Sequence, residues 1–554
     1  MEWSLSAAQD VIAGATPDRD MLVRGDVRRS YDAVRRRTTG LAAFLSARGL
    51  GARRERSALE RWECGQSTVG LVMHNRCEYI ESMLGCYRAR AVPFNVNHHY
   101  RPSELRALFD MVEVEAIVYE RQLGPRLAEA IEGLEPVLID VEDASGVPPL
   151  PGSTAFEDTV ATTEGALAEP SPDDLYMICT GGTTGAPKAV LWRQADIFCA
   201  GMGGSDTTTA ERLAKTAADG GIGVWYPAPP LMHAAAQWTA FVALYGGGTV
   251  VLHDDSQRFD ARAILEVLER ERVTMISIVG DAYARPIIEE LRRTPRELPA
   301  LQRIGTGGAV TAEGCKAELL ELLPHVTIVD GYGASETGGM AYGVKTKTAS
   351  ARGFVPGLGA VVISNDRTRV LEPSDEEVGW TARRGRVPLG YLGDREKTEA
   401  TFPVIDGERF AVPGDRAALE PDGSIRMLGR DSMVVNTGGE KVFVEEVEGA
   451  LKPHPAVEDV LVVGRPRERF GQEVVAIVQT RPGVELPSPK ELREFAARSI
   501  ARFKAPRAVA YCERIGRHPT GKPDYQWARN AALSATSVPT SESPGGSNSR
   551  TQGE

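Results

Sequence analysis

This 554-residue sequence lacks a disulfide framework, a zinc-binding pattern and a membrane-length apolar run. Its seven cysteines (Cys64, Cys77, Cys86, Cys179, Cys199, Cys315 and Cys512) are dispersed, with no CxxC pair. That spacing reads as reduced thiols and not as a structural metal site. No stretch approaches the ~18 consecutive apolar residues that span a bilayer. The first twenty residues carry acids and no apolar segment, so no signal peptide is expected and the protein reads as cytoplasmic. Positive charge is also scarce. The net charge is −12, and the basic runs at 35–37 and 53–56 are short enough to be solvated faces, which argues against nucleic-acid binding. A Walker A loop is absent too, because Pro187 and not glycine precedes Lys188.

What is present is ordinary for a globular enzyme: 42% hydrophobic and 25% charged residues, in a length that suits two or three domains. One stretch stands out. Between apolar residues 175–178 and 189–192 lie Thr180, Gly181, Gly182, Thr183, Thr184, Gly185 and, after Ala186 and Pro187, Lys188. Glycines let backbone N–H groups approach an anion, threonines add donors, and lysine adds a point charge. The stretch reads as a polyphosphate loop between two strands.

Along the chain, an extended start at 21–24 is followed by apolar positions at helical spacing through Leu41, Leu45 and Leu50. Strand-like segments at 67–73, 91–96, 116–119 and 136–140 alternate with helical ones such as 77–90, which predicts an α/β fold with a parallel sheet. His98 and His99 have no carboxylate spacing that suits a metal and read as structural or solvated. Residues 145–174, rich in Pro, Gly, Ser and acids, read as a linker. Further βα units follow, with a strand and turn over 224–233 that ends at His233. A helix over 234–244 then carries Trp238, and strands over 274–280 and 302–309 bring Gly307 and Gly308.

A β-branched strand at 326–330 runs into a glycine-spaced loop with Gly331, Tyr332, Ser335, Glu336 and Thr337. An aromatic face beside a hydroxyl and a carboxylate can stack a purine, donate to a phosphate and hold Mg²⁺ through oxygen. Asp415 and Arg430, in a small hairpin region, are candidate partners for ribose hydroxyls. Residues 431–526 have the texture of a separate α+β domain of about 100 residues that presents Lys522 near its end. The segment 531–554 reads as a disordered tail.

Taken together and in this order, these motifs resemble the adenylate-forming superfamily over residues 20–527. Within it the sequence is similar to AMP-forming acyl-CoA synthetases of actinobacteria that act on fatty acids and steroid side-chain carboxylates. The resemblance implies a large N-terminal domain (1–430) of α/β sheets with a β-barrel-like subdomain, a small mobile α+β domain (431–530) and a tail (531–554). It implies that Thr180 to Lys188 hold the β,γ-phosphates, Ser335 the α-phosphate and Glu336 Mg²⁺. Tyr332 with Gly307 and Gly308 would flank adenine, and Asp415 and Arg430 would take the ribose. Lys522 would bridge carboxylate and phosphate during adenylation. Asp431 would act as the hinge that later brings Gly438 and Gly439 against the CoA pantetheine. His233, Trp238, Gly308 and Gly331 would border the acid.

The expected cofactors are ATP, Mg²⁺ and coenzyme A, and the expected partner is a small carboxylic acid. No nucleic acid and no stable membrane insertion are expected, and a homodimer is left open. The sequence departs from the family pattern at Ala189, where glycine is usual, and at Val444, where proline is common. An extra methyl at 189 raises the alternative of an enzyme that adenylates poorly and thioesterifies a supplied acyl-adenylate. Loading of a carrier protein is a further alternative. The expected acid is bulky and hydrophobic, steroid- or terpenoid-like, with a medium- or long-chain fatty acid second.

Overall fold

The computed structural model describes residues 2–537 except 164–166, 182–186, 257–258, 350–352, 438–439, 468–470 and 519–521. Contact density divides the chain into two units, Met1–Met427 with Thr520–Lys522, and Leu428–Pro519 with Pro523–Glu554.

The larger unit is built on a nine-stranded sheet and a five-stranded sheet. In the nine-stranded sheet, strands from Asp20–Arg24 to Thr327–Ala334 pair in parallel, and antiparallel strands close both edges. Alternation along each strand sends neighbouring side chains to opposite faces. Val23, Val251, Ile276, Ile278, Ile304 and Ile328 pack on one side among the helices Ala261–Arg270, Gly280–Arg293 and Glu313–Leu322. Leu22, Val250 and Leu252 face the other side, where the alanine-rich helix Ala234–Tyr245 packs.

The five-stranded sheet is wholly parallel, in the order Val92–Asn95, Thr68–Val72, Ala116–Glu120, Val137–Val141, Thr154–Ala155. The expected helix after the strand Thr68–Val72 spans Cys77–Arg88 and is buried almost throughout. It lies against the helix Tyr31–Ala47 at Gly85, where a Cβ would fall 2.6 Å from Leu41 Cδ2. That second helix starts with Ser30 Oγ accepting from the Ala33 amide and ends at Gly49, whose φ of +72° suits the reversal into Leu50.

An antiparallel six-stranded sheet (Val404–Ile405, Glu408–Ala411, Val378–Arg384, Asp415–Leu419 and Ile425–Arg430 in order, with Ala360–Ile363 on Val378–Arg384) and a three-stranded one (Gly390–Tyr391, Pro187–Arg193, Leu175–Gly181) complete the strand architecture before residue 431. The smaller unit has a long hairpin, Val457–Arg467 with Gly471–Thr480, packed with the helices Val444–Leu451, Pro489–Ala496 and Tyr525–Ala532. No described helix is long and apolar enough to cross a membrane.

Two expectations change. The presumed linker at 145–174 contains the strand Thr154–Ala155 and the helix Phe156–Val160, anchored by buried Phe156 and Thr159. The presumed tail starts later than residue 531, because Ala532 is buried at the end of a helix and Thr536–Ser537 pair with Ala508–Cys512. Residues 538–554 lie outside the described part.

Candidate functional site

The glycine- and threonine-rich stretch is flanked by two paired strands. Leu175–Gly181 and Pro187–Arg193 pair antiparallel, with Thr180 opposite Lys188 and Cys179 opposite Ala189. Gly182, Thr183, Thr184 and Gly185 lie outside the described residues, so their expected phosphate contacts are not placed. Lys188 and Ala189 point to opposite faces, as neighbours on a strand must. Lys188 Nζ stands 5.5 Å from the centre of the Tyr391 ring. The Ala189 methyl is buried in the apolar cluster beneath the hairpin with Cys179, Met177 and Leu191.

The turn between Thr327–Ala334 and Gly338–Lys345 brings the second group of expected residues together. Tyr332 Oη donates to Asp415 Oδ2 at 2.6 Å and lies 3.1 Å from Thr381 Oγ1. Gly307 and Gly331 are register partners on adjacent strands, and a Cβ on Gly307 would come within 3.0 Å of the Gly331 carbonyl. Gly308 turns away at φ +72°. The Ser335 carbonyl accepts from Trp192 Nε1 at 2.9 Å, and Glu336 Oε1 accepts from Tyr391 Oη at 2.8 Å. The paired strands around Lys188 and the Ser335–Glu336 turn are therefore hydrogen-bonded to each other through Trp192 directly, and through Tyr391 on the strand beside them.

A cation fits this arrangement in one way. Among the described residues no group of three or more His, Cys, Asp or Glu could hold a metal ion. A cation at Glu336 would take one carboxylate and fill its other positions with phosphate oxygens and water, as Mg²⁺ does.

His233 caps the helix Ala234–Tyr245 with extended backbone. Burial pushes its imidazole down to about 3, so the ring is neutral at physiological pH, and Nε2 has no hydrogen-bond partner among the described residues. Trp238, one turn on, is buried against Gly201, where a Cβ would lie 3.2 Å from Trp238 Cδ2. Arg430 ends the strand Ile425–Arg430, and Asp431 opens a short 3-10 helix in the smaller unit. Lys522 belongs to the larger unit. Gly438 and Gly439 lie outside the described residues.

Four residues of the site carry no sequence motif. Asn95 Nδ2 donates to the carbonyls of Cys179 and Met232 at 2.8 and 2.6 Å, and its Oδ1 accepts from the Cys179 amide at 2.7 Å. Buried Arg383 donates to the carbonyls of Thr337 and Gly339 at 3.0 and 2.9 Å, bracing the turn after Glu336. Trp192 and Tyr391 are the other two. Each looks like an ordinary core or surface residue in the sequence, because its partner lies dozens of residues away.

His98 is not solvated. It is 4% exposed, its ring lies tilted 4.2 Å from the His74 ring, and His74 Nδ1 lies 2.6 Å from Glu120 Oε2. Burial pushes His98 down to about 3, which makes it a neutral packing residue.

Residues 10–387 match the AMP-binding enzyme family, and residues 446–522 match the AMP-binding enzyme C-terminal domain. The chain is 44% identical over 545 residues to the medium-chain acyl-CoA ligase Mig of Mycobacterium avium, covering 96% of this chain and 98% of that protein. It is 37% identical over 533 residues to the 3-oxocholest-4-en-26-oate–CoA ligase of Rhodococcus rhodochrous, covering 93% of each. Its fold is similar to that of the anthranilate CoA ligase AuaEII in complex with anthranoyl-AMP, with a TM-score of 0.79 and 19% identity over 96% of this chain and 98% of that one. The full-length likeness, and the hairpin and turn that it shares with the motif reading, lead to one conclusion: the chain belongs to the AMP-binding enzyme family of adenylate-forming acyl-CoA synthetases.

Proposed function

We propose that the protein joins a bulky hydrophobic carboxylic acid, steroid- or terpenoid-like, to CoA at the expense of ATP. The observation that supports this most is the linkage of Lys188, Tyr391 and Glu336 beside the Tyr332–Asp415 pair. In this reading Lys188 would serve the phosphates, Glu336 the metal, the Tyr332 ring the adenine and Asp415 the ribose.

In the first half-reaction a carboxylate oxygen attacks the α-phosphorus, the bond to pyrophosphate breaks and an acyl-adenylate remains. Both reactants are anionic, so Lys188 and Lys522 would reduce their repulsion and spread the charge of the transition state. Thr180 and the glycines after it would hold the β,γ-phosphates, Ser335 the α-phosphate, and Arg430 with Asp415 the ribose. Bound at Glu336, Mg²⁺ would supply further charge neutralisation on the polyphosphate. In the second half-reaction the CoA sulfur attacks the acyl carbon and the bond to AMP breaks. Neutral His233, between nucleotide and acyl pocket, would orient the carbonyl or thiol, and Gly438 and Gly439 would flank the pantetheine after a pivot at Asp431.

The relatives' names support a hydrophobic acid. The 37% identical relative is named for a steroid acid, and the 44% identical one is named for medium chains, which favours a medium-chain fatty acid as the second reading. Against the alternative of weak adenylation stands the burial of the Ala189 methyl in the core, on the face of its strand opposite Lys188. Incubation with ATP, Mg²⁺, free CoA and a pool of fatty, steroid and terpenoid acids, read by mass spectrometry, tests the proposal. Acyl-CoA from a polycyclic acid with matching pyrophosphate supports it. Acyl transfer only to a carrier protein would overturn it.

A further inference from the structure

A buried tyrosine stands between the two charges that the ATP reading needs most. Tyr391 is 4% exposed and belongs to the two-residue strand Gly390–Tyr391, which pairs with Leu191 and Val190 on the second strand of the phosphate hairpin. Its backbone is fixed on several sides. The Tyr391 amide donates to Thr398 Oγ1 at 2.9 Å, while the flanking amides of Leu389 and Leu392 donate to the carbonyls of Leu191 and Ala189 at 2.7 and 2.9 Å. The ring packs 5.7 Å from Phe402.

From that fixed position the side chain reaches two functional groups. Its hydroxyl donates to Glu336 Oε1 at 2.8 Å, and its ring face carries Lys188 Nζ at 5.5 Å and Lys397 Nζ at 5.6 Å. The neighbouring strand sends Trp192 Nε1 to the Ser335 carbonyl at 2.9 Å, so adjacent residues of one turn are held from adjacent strands of one sheet.

We propose that Tyr391 is a positioning residue for metal-bound polyphosphate. Its hydroxyl holds one oxygen of Glu336 so that the other faces a divalent cation, and its ring holds the Lys188 ammonium toward the phosphates. The chemistry of the residue suits both tasks. An arginine at this place would cancel the charge of Glu336 and compete with the cation. A phenol donates one hydrogen bond, leaves the carboxylate with its full negative charge, and offers a π face that attracts ammonium. Groups that orient a metal ligand in this way typically change metal affinity by about 10–100-fold when removed.

The inference rests on the reading of Glu336 as the cation ligand, and three variants separate the two. Tyr391→Phe keeps the ring and removes the hydroxyl. Calorimetric binding of Mg²⁺ATP and spin-resonance titration of Mn²⁺ into the ATP complex are expected to weaken by about tenfold. Binding of ATP in a chelator, and the melting temperature, are expected to stay where they are. Tyr391→Leu removes the ring as well and is expected to weaken metal-free ATP in addition. Glu336→Gln serves as the reference. If Glu336→Gln leaves cation binding unchanged, the ligand reading fails and the inference with it. If Glu336→Gln weakens the cation while Tyr391→Phe does not, the ligand reading stands and the role of Tyr391 is overturned.

Discussion

Tyr332 Oη donates to Asp415 Oδ2 across 2.6 Å, which makes the proposed adenine platform and the proposed ribose acceptor one hydrogen-bonded unit. The two residues are 83 positions apart in the chain, and Asp415 is 5% exposed. A buried carboxylate that loses a donor of this kind loses about 1.5–3 kcal/mol. Tyr332→Phe keeps the stacking ring and is therefore expected to weaken ATP binding by about tenfold or more, measured by calorimetry. Unchanged affinity would show that Asp415 does not depend on the phenol.

Ala189 gives the second prediction. Its methyl is buried beneath the hairpin, so restoring the glycine common in the family removes packing and adds chain entropy to a strand. Ala189→Gly is expected to lower stability by about 1–2 kcal/mol and to leave pyrophosphate release unchanged. Faster adenylation in the variant would revive the idea that the methyl obstructs the polyphosphate.

The proposed role of Lys522 separates the two half-reactions. Lys522→Ala is expected to slow acyl-adenylate formation by about a hundredfold or more, since it removes one fixed positive charge from an anionic transition state. Conversion of a synthetic acyl-adenylate to acyl-CoA should keep its rate. Equal losses in both halves would remove Lys522 from its adenylation role.

The smaller unit carries a pH dependence of its own. Glu448, on the helix Val444–Leu451, accepts from the Val462 amide at 2.8 Å and from Tyr525 Oη at 3.3 Å. Burial pushes its carboxyl up to about 8, Glu445 and Asp459 add repulsion, and Lys452 opposes them. A raised carboxyl binds its proton in the folded state between the ordinary carboxylate range, near 4.5, and about 8, where the unfolded chain has lost it. Stability therefore falls as pH rises through that window and levels off above it. Exchange protection of the Val462 amide in the full-length protein, corrected for the intrinsic rate, is expected to fall across the window, and Glu448→Gln is expected to flatten the profile. A profile with the same slope in Glu448→Gln would assign the dependence to another group.

The sequence shows strands and helices where periodicity is strong and local. Thr68–Val72 and Met275–Ile278 are apolar runs bounded by turns, and the hairpin around Lys188 follows from its flanking apolar segments. The helix end at Ala532 is harder to read, because it is anchored by the small methyls of Ala528 and Ala532, one helical turn apart, within a polar segment. Phe156–Val160 is five residues long and too short for a 3.6 period to appear.

The site divides in the same way. Lys188, Tyr332, Glu336 and Asp415 sit in glycine-spaced motifs, whose backbone requirements leave a mark in the sequence. Asn95, Trp192, Arg383 and Tyr391 act here through hydrogen bonds to residues 44 to 143 positions distant, and a contact of that range has no local spacing to betray it.

Asn95 joins the hairpin strand Leu175–Gly181 to the loop before His233 entirely through main-chain atoms of Cys179 and Met232. A joint made to amides and carbonyls is indifferent to the side chains on either segment. The side chains of the loop before His233 can therefore be exchanged while its main chain keeps its tie to the hairpin, so on the proposed reading the acid pocket can diverge without disturbing the ATP site.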